Sequence, residues 1–324
     1  MNVLVISYDD VQRLLPMPAC VDVMAEALKA TNRGDAVLPL RSVVWMPDRT
    51  GAVGLMPGYL GSPASLGLKV VSIFPGNHGT HYDSHQGVVM LFDLKHGTPI
   101  AIIDGSSITA IRTAAVSGAA TRALAREDAG DLAILGSGVQ ATTHLAAMRA
   151  VRPVGRVRVW SRNRAHAQEF AEANPGIEVM ETAQAAVTGA DLICTTTSTR
   201  EPILEGAWLR PGAHINAVGS CFASWRELDS AAVVRARFVV DRRESTLAES
   251  GDFLIPKAEG LIGDEHIVGE LGDLLLERFA GRRSPEDVTL FKSLGIAIED
   301  LAAAQYVYEQ AVATGTGVSV PFGR

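Results

Sequence analysis

Two glycines, Gly136 and Gly138, stand between a short apolar run, Leu132 to Leu135, and a segment from Val139 in which Leu145 and Met148 share one helical face. Strand, glycine turn and helix, in that order, form the phosphate-binding corner of a βαβ unit. Gly136 permits the tight turn. Gly138 lets the backbone come close to a pyrophosphate, where a Cβ would collide with it, and Ala141 takes the third small position, where helix meets strand. The helix N-terminus then offers N–H groups and a partial positive charge to the phosphates. A second strand, Val157 to Trp160, arrives about 20 residues on, as such a unit requires. A glycine turn in some other α/β fold is the bland alternative.

The tip of that second strand should meet the adenine ribose, where an NAD site usually carries Asp or Glu. This chain has Ser161-Arg162-Asn163-Arg164, with two guanidinium groups and no carboxylate. Arginine grips phosphate through a bidentate fork. The expectation is therefore NADP(H), with Ser161, Arg162 and Arg164 on the 2′-phosphate and Asn163 in the same turn. NAD(H) is the alternative, and a solvated basic turn is the reading without function. In an open α/β sheet the ligand sits beyond the carboxyl ends of the strands. That singles out Thr195 and Thr196, in the stretch running to Ser198, and Val218-Gly219-Ser220-Cys221, whose hydroxyls and amides could line a nicotinamide. Thr195 to Ser198 could equally cap the next helix.

A second set of residues could hold a substrate. Lys69 interrupts an otherwise apolar strand, Leu66 to Phe74, where a charge costs stability unless it is paired or faces a ligand. An edge-strand lysine that blunts aggregation would look the same. Arg112 sits in a helix of apolar and small residues, and Arg41 opens a strand. Taken together they suggest a carboxylate-bearing substrate: arginine for the grip, lysine as a point charge that can also act as an acid. Singly, each arginine reads as a surface ion-pair member. Ser84-His85-Gln86-Gly87 is the remaining polar cluster. His85 could bind cofactor or substrate, or donate a proton near neutral pH, although neighbouring His78 and His81 show how little one histidine proves.

These residues need elements to carry them. A strand at Val3 to Ile6 precedes a helix capped by Asp9 or Asp10, which continues through Pro18 to Ala30. Short strands follow at 41–46, 52–59, 66–74, 86–93 and 99–104, patterned as a largely antiparallel sheet or open barrel. A long helix of small residues, Ile108 to Arg126, leads to a domain boundary near Gly130. Beyond it, strands at 177–180, 192–195, 214–218 and 238–240 alternate with helices, which implies a doubly wound parallel sheet. Phe291 to Ala313 reads as one final helix packing back on the first domain.

The chain has 324 residues, 47% hydrophobic and 20% charged, with net charge −7. That length suits two domains. The acidic balance without a basic tract speaks against nucleic acid or an anionic membrane surface as partner. No apolar run reaches the ~20 residues of a membrane helix, and the first ten residues lack a basic region and cleavage site, so a cytoplasmic protein is expected. Cys20, Cys194 and Cys221 are widely spaced and show no metal spacing.

With these pieces assembled, the whole chain resembles the ornithine cyclodeaminase/mu-crystallin family. The resemblance is carried by Gly67-Leu-Lys69-Val-Val, Ser84-His85-Gln86-Gly87, Asp104-Gly-Ser-Ser-Ile-Thr-Ala-Ile-Arg112-Thr-Ala-Ala, Leu135-Gly-Ser-Gly-Val-Gln140-Ala, Ile215-Asn-Ala-Val-Gly219, Glu249-Ser-Gly-Asp252 and Phe291-Lys-Ser-Leu-Gly295. It implies an α/β protein with a Rossmann doubly wound parallel sheet and a second α+β domain for substrate and dimerisation. The second domain would comprise residues 1–125 and 294–324, the Rossmann domain residues 126–293. The resemblance implies a homodimer, and places Arg41, Lys69 and Arg112 around a substrate carboxylate. It places Ser84, His85, Arg112, Ser137, Val139, Gln140, Val218, Ser220 and Ser293 near the dinucleotide, and Glu249 at the ligand pocket. One departure bears on activity. Cyclodeaminases and related alanine dehydrogenases carry an Asp shortly after the Ala-Val-Gly strand end, and Cys221 takes that place here. A cyclodeaminase must oxidise an amino acid and handle a second ammonium, which favours a buried carboxylate; a reductase of a cyclic imine needs less. The expectation is an NADP(H)-dependent reductase of small cyclic ketimine carboxylates such as Δ1-pyrroline-2-carboxylate or Δ1-piperideine-2-carboxylate, with Lys69, His85 or water as proton source. Ornithine cyclodeaminase, another amino-acid dehydrogenase, or a non-catalytic NADPH-dependent binding protein are the alternatives.

Overall fold

The computed structural model describes residues 1–77 and 80–323; His78 lies outside the described residues. They divide into two compact units, residues 1–112 with 295–324, and residues 113–294. The first segment runs β1 (Asn2–Ile6), α1 (Tyr8–Leu14), α2 (Met17–Arg33), β2 (Ala36–Val37), β3 (Ser42–Trp45), β4 (Ala52–Gly61), β5 (Ala64–Ile73), β6 (His85–Phe92), β7 (Pro99–Asp104) and α3 (Gly105–Leu124), the last continuing past residue 112. The middle segment runs β8 (Asp131–Leu135), α4 (Val139–Val151), β9 (Arg156–Trp160), α5 (Arg164–Ala173), β10 (Ile177–Val179), α6 (Ala183–Val187), β11 (Leu192–Thr195) and β12 (His214–Ala217). It continues with α7 (Ser230–Arg235), β13 (Arg237–Val240), α8 (Arg243–Glu249), α9 (Gly251–Ala258), β14 (Ile267–Glu270), α10 (Leu271–Leu275) and β15 (Thr289–Lys292). Last come α11 (Ala297–Thr314) and β16 (Val318–Pro321).

Local chemistry explains several boundaries. Ser7, rather than Asp9 or Asp10, is the N-cap of α1; its Oγ accepts from the Asp10 N–H, and the Asp10 carboxylate reaches back to the Ser7 N–H. Such a reciprocal box satisfies two helix donors at once. The last helix starts later than the sequence pattern suggests. Leu290, Phe291 and Lys292 belong to β15, and the chain turns through Gly295 before α11 begins at Ala297. β15 lies between two parallel neighbours and is buried on both faces. Its four residues, Thr-Leu-Phe-Lys, are all buried, so the strand is too short and too uniform to show the alternation that would distinguish it from a helix.

In the first unit the strands form one open sheet in the order β16-β1-β7-β6-β5-β4-β2, with β3 also on β4. The β1–β7 pair is parallel and the other pairs antiparallel. β5 lies between β4 and β6, with Lys69 opposite Met56 on one side and Val89 on the other. It is an interior strand, which removes the edge-strand explanation of Lys69. Period-two alternation places Gly67 and Lys69 on the face covered by α11. That helix comes in close because Gly58 and Gly67 lack a Cβ; built there, a Cβ would lie 3.2 Å and 3.0 Å from the two methyl groups of Leu301. Leu301 is fully buried. Leu301→Ala should cost about 2–5 kcal/mol of stability, because glycine neighbours cannot fill the space it leaves. Urea unfolding measures this, and a loss below about 1 kcal/mol would show that Leu301 does not anchor the helix.

In the second unit eight strands form a parallel sheet in the order β10-β9-β8-β11-β12-β15-β13-β14. The winding reverses between β8 and β11, which puts the glycine turn after β8 at the switch point where doubly wound sheets bind ligands. One core lies around Ile193, Ile215, Phe238, Phe253 and Leu290. His144 of α4 is buried between the Ser117 hydroxyl and the Gln140 carbonyl, and burial pushes its pKa down to about 4. It is a neutral packing histidine.

Candidate functional site

The turn after β8 has the shape its glycines suggest. Gly136 adopts φ +122°, and a Cβ there would stand 2.5 Å from Thr196 Oγ1. Gly138 is the N-cap of α4, with no side-chain cap, and nothing lies within 4 Å of where its Cβ would be. Ser137 and Gln140 are half-buried, Val139 is exposed, and Ala141 is buried. The turn thus presents an uncapped thirteen-residue helix beside open space. A phosphate fits such a cradle, since helix N–H groups and dipole both favour an anion.

At the end of β9, Ser161 is half-buried and Arg162 exposed. Asn163 caps α5 by accepting from the Ala165 N–H at 3.0 Å, and the Arg164 guanidinium pairs with Glu181. The ends of β11 and β12 are held by a residue the sequence reading passed over. Glu227 is fully buried and accepts four hydrogen bonds of 2.7 Å, from Thr195 Oγ1, Thr197 N, Thr197 Oγ1 and Gly219 N. Burial pushes its carboxyl above the ordinary range against the pull of Lys292. Asp252 accepts from the Glu227 and Leu228 N–H groups and from Lys292 Nζ, which also donates to the Ser220 carbonyl at 2.6 Å. Val218, Ser220 and Ser293 are buried, and the Ser220 hydroxyl donates to the Trp225 carbonyl. Cys221 is half-buried with its Sγ 3.8 Å from the Val218 carbonyl, and Glu249 ends α8 half-buried.

The first unit gathers the three cations. Lys69 Nζ lies 2.9 Å from each carboxylate oxygen of Asp300, and 3.4 Å from Thr109 Oγ1. Arg112 donates from Nε to Asp300 at 2.8 Å and from Nη1 to Glu299 at 2.7 Å. Arg41 Nη2 donates to the Gly295 carbonyl at 2.8 Å. Gly295 has φ +74°, and a Cβ on it would sit 2.7 Å from Arg112 Nη1. One glycine therefore receives both arginines, one on its carbonyl and one on its bare Cα. Lys69 and Arg112 are 4% and 3% exposed, so Arg112 is not the surface ion-pair member its sequence context allows.

Charge explains the chemistry available. Lys69 and Arg112 meet two buried carboxylates, with Arg41 close by, and guanidinium and ammonium groups in such a setting are the groups that grip a carboxylate. Burial pushes Lys69 down to about 8 against the pull of Asp300, with Arg112 and Arg41 adding to the depression. Asp300 is held below the ordinary range: burial would raise it, but the Arg112 guanidinium and the Lys69 ammonium outweigh that. Glu299 and Asp300 stand in the first turn of α11, where the helix dipole favours anions. They lie in an otherwise apolar stretch, the same signal that marks Lys69, and that signal would have found them.

His85 opens β6 exposed, its Nδ1 3.1 Å from Ser84 Oγ. A groove of about 460 Å³ lies on the sheet face turned away from α11, lined by Val70, Ser72, Val88, Asp83 and Asp104 among others. Its two carboxylates suit it poorly to an anion. Among the described residues no cluster of His, Cys, Asp and Glu is placed to hold a metal ion, and no helix is long and apolar enough to cross a membrane.

A doubly wound sheet with this glycine turn at its switch point defines a dinucleotide-binding protein of the Rossmann class. The chain belongs to the ornithine cyclodeaminase/mu-crystallin family, whose model matches residues 1–315. Ketimine reductase mu-crystallin of Mus musculus is 43% identical over 279 residues, 85% of this chain and 86% of its own length. The Δ1-pyrroline-2-carboxylate reductase of Thermococcus litoralis, solved in complex with NADH and L-proline, matches with TM-score 0.95 at 38% identity, covering 98% of this chain and 100% of that one. An archaeal alanine dehydrogenase dimer with bound NAD matches with TM-score 0.93 at 29% identity, covering 100% of both chains.

Proposed function

We propose that this chain reduces small cyclic ketimine carboxylates, Δ1-pyrroline-2-carboxylate or Δ1-piperideine-2-carboxylate, to proline or pipecolate with NADP(H). The observation that carries the reading is the buried Lys69–Arg112 pair, gathered on Asp300 and Glu299 with the half-buried Arg41 on the neighbouring Gly295 carbonyl. In this reading the two arginines and Lys69 hold the substrate carboxylate, and Lys69, with its pKa near 8, can give or keep a proton at the pH of the reaction. The turn at Gly136, Ser137, Gly138, Val139 and Gln140 would hold the cofactor phosphates. Thr195, Thr196, Val218, Ser220 and Ser293 would lie toward its nicotinamide end, with Ser84 and His85 also serving the dinucleotide and Glu249 and Cys221 the substrate. The reduced cofactor, when bound, supplies the hydride. NADP(H) rather than NAD(H) is supported by the Arg162 and Arg164 guanidinium groups and the lack of a carboxylate in 161–164. Cys221, standing where cyclodeaminases carry an Asp, supports imine reduction over ammonia release.

The same reading assigns residues 1–125 and 294–324 to substrate binding and dimerisation, and residues 126–293 to the cofactor. The outer face of the first unit's sheet supports a homodimer, since Val44, Val53, Tyr59 and Leu66 are 62%, 38%, 39% and 37% exposed. Exposed apolar faces of that kind mark association surfaces. The three cysteines form no disulfide, which suits a reducing cytoplasm.

A panel of cyclic ketimines and amino acids followed at 340 nm, with NADH and NADPH in parallel, tests the reading. Oxidation of NADPH by a ketimine carboxylate is the expected result. Ammonia release from ornithine would replace it with a cyclodeaminase, and a preference for NADH of about tenfold or more would overturn the NADP(H) assignment. Gly295→Ala should raise KM for the ketimine by roughly tenfold or more, since displacement of a binding group by even 1 Å is costly. Cofactor affinity should not change, and an unaltered KM would remove Gly295 from the site.

A further inference from the structure

Glu227 joins two loops that are separate in sequence. Its Oε1 accepts from the Thr197 N–H and hydroxyl, and its Oε2 accepts from the Gly219 N–H and the Thr195 hydroxyl. Each oxygen therefore holds one backbone amide, one from the loop after β11 and one from the loop after β12. The loops touch at this point, because a Cβ on Gly219 would stand 1.9 Å from the Thr197 carbonyl. Behind Glu227, Asp252 fixes its backbone N–H at 2.8 Å, and Lys292 at the end of β15 ties Asp252 to the Ser220 carbonyl. The carboxyl ends of three adjacent strands, β11, β12 and β15, are thus linked through one buried polar network. Such networks are rigid when every member is satisfied.

We propose that Glu227 is the positioning residue for the nicotinamide end of the cofactor, acting through the Thr195–Thr197 and Val218–Ser220 loops rather than by touching the cofactor. The proposal rests on the cofactor assignment above. Its physical basis is that no neutral isostere can replace the carboxylate. A glutamine at this position presents one oxygen and one NH2 group. Whichever way it turns, the NH2 meets a backbone N–H, so one loop loses its anchor. A buried donor left facing a donor costs roughly tenfold or more in the equilibrium it opposes.

The test is a titration of the full-length protein with NADPH, and with NADH in parallel, followed by cofactor fluorescence. Glu227→Gln should weaken binding by roughly tenfold or more, while KM for the ketimine at saturating cofactor stays within about threefold of the unaltered protein. Thr197→Val removes one hydroxyl bond but leaves both amides anchored, and should bind cofactor within about threefold of the unaltered protein. Wild-type affinity in Glu227→Gln, or equal weakening in the two variants, would overturn the proposal whatever their melting temperatures. If Glu227→Gln does not fold, Glu227→Asp takes its place. It keeps the charge and both acceptors one methylene short, and unchanged cofactor affinity in it counts against the proposal equally. Failure of the unaltered protein to bind either nucleotide would instead sink the cofactor assignment.

Discussion

Lys69→Met should lower kcat/KM for a cyclic ketimine carboxylate by roughly a hundredfold to a thousandfold and leave NADPH affinity unchanged, the scale of losing a charged group from a desolvated site. The variant should fold, since Asp300 keeps its hydrogen bond from Arg112 Nε and is not left as an orphan charge. Methionine keeps most of the volume, so packing against α11 is disturbed little. The pH dependence gives an independent reading. Lys69 is held down to about 8, so its charge is present below that pH and lost above it. A non-reducible ring carboxylate should therefore inhibit the unaltered protein well below pH 8 and progressively less above it. In Lys69→Met that inflection should vanish. Near-normal turnover in the variant, or an inhibition profile that keeps its inflection, would remove Lys69 from the site.

Arg112→Leu should have the larger effect on the fold itself. Arg112 serves two fully buried carboxylates, and its loss takes an ion-pair partner from both Glu299 and Asp300. Removing one side of a buried ion pair typically costs about 3–5 kcal/mol. Spread over a unit of this size, the melting temperature should fall on the order of 10 °C. The sign of the pH dependence identifies the cause. In the unaltered protein Asp300 is held below its ordinary range, so its contribution is full above about pH 4 and is lost only as pH falls further. In the variant burial is no longer outweighed by Arg112, and the carboxyl takes up a proton at higher pH. The stability gap between the two proteins should then narrow between pH 7 and pH 5. A gap that is constant across that window would mean that Arg112 acts by packing alone.

The parts of this molecule legible in its sequence are those where one residue type breaks a pattern. Lys69 interrupts an apolar strand, Arg112 a small-residue helix, and Gly136 and Gly138 the passage from strand to helix. Each anomaly is local: Lys69 and Arg112 are buried in ion pairs, and Gly136 takes a positive φ. Two kinds of feature stay hidden. β15 could not be told from the start of α11 because its four residues, Thr-Leu-Phe-Lys, are buried on both faces and show no period. Glu227 sits in Trp225-Arg226-Glu227-Leu228-Asp229, where alternating charges look like a solvated turn. Its burial comes from the parallel packing of β11 and β12, which neighbouring residues do not encode. Asn163 lies between these cases: its amide side chain is as good a helix cap as a ligand for phosphate, and the structure shows it capping.

α11 and β16 come from the far end of the chain, yet they complete the unit begun at residue 1. On a ribosome, Lys69 and Arg112 would emerge with no anion to meet them, since Asp300 follows 231 and 188 residues later. Residues 113–294 could collapse on their own in that interval, being contiguous. Residues 1–112 must wait, their sheet lacking the helix that covers it, until α11 has been made. A fragment that ends just before residue 295, once released from the ribosome, should therefore show protease resistance in the parallel sheet and none around Lys69.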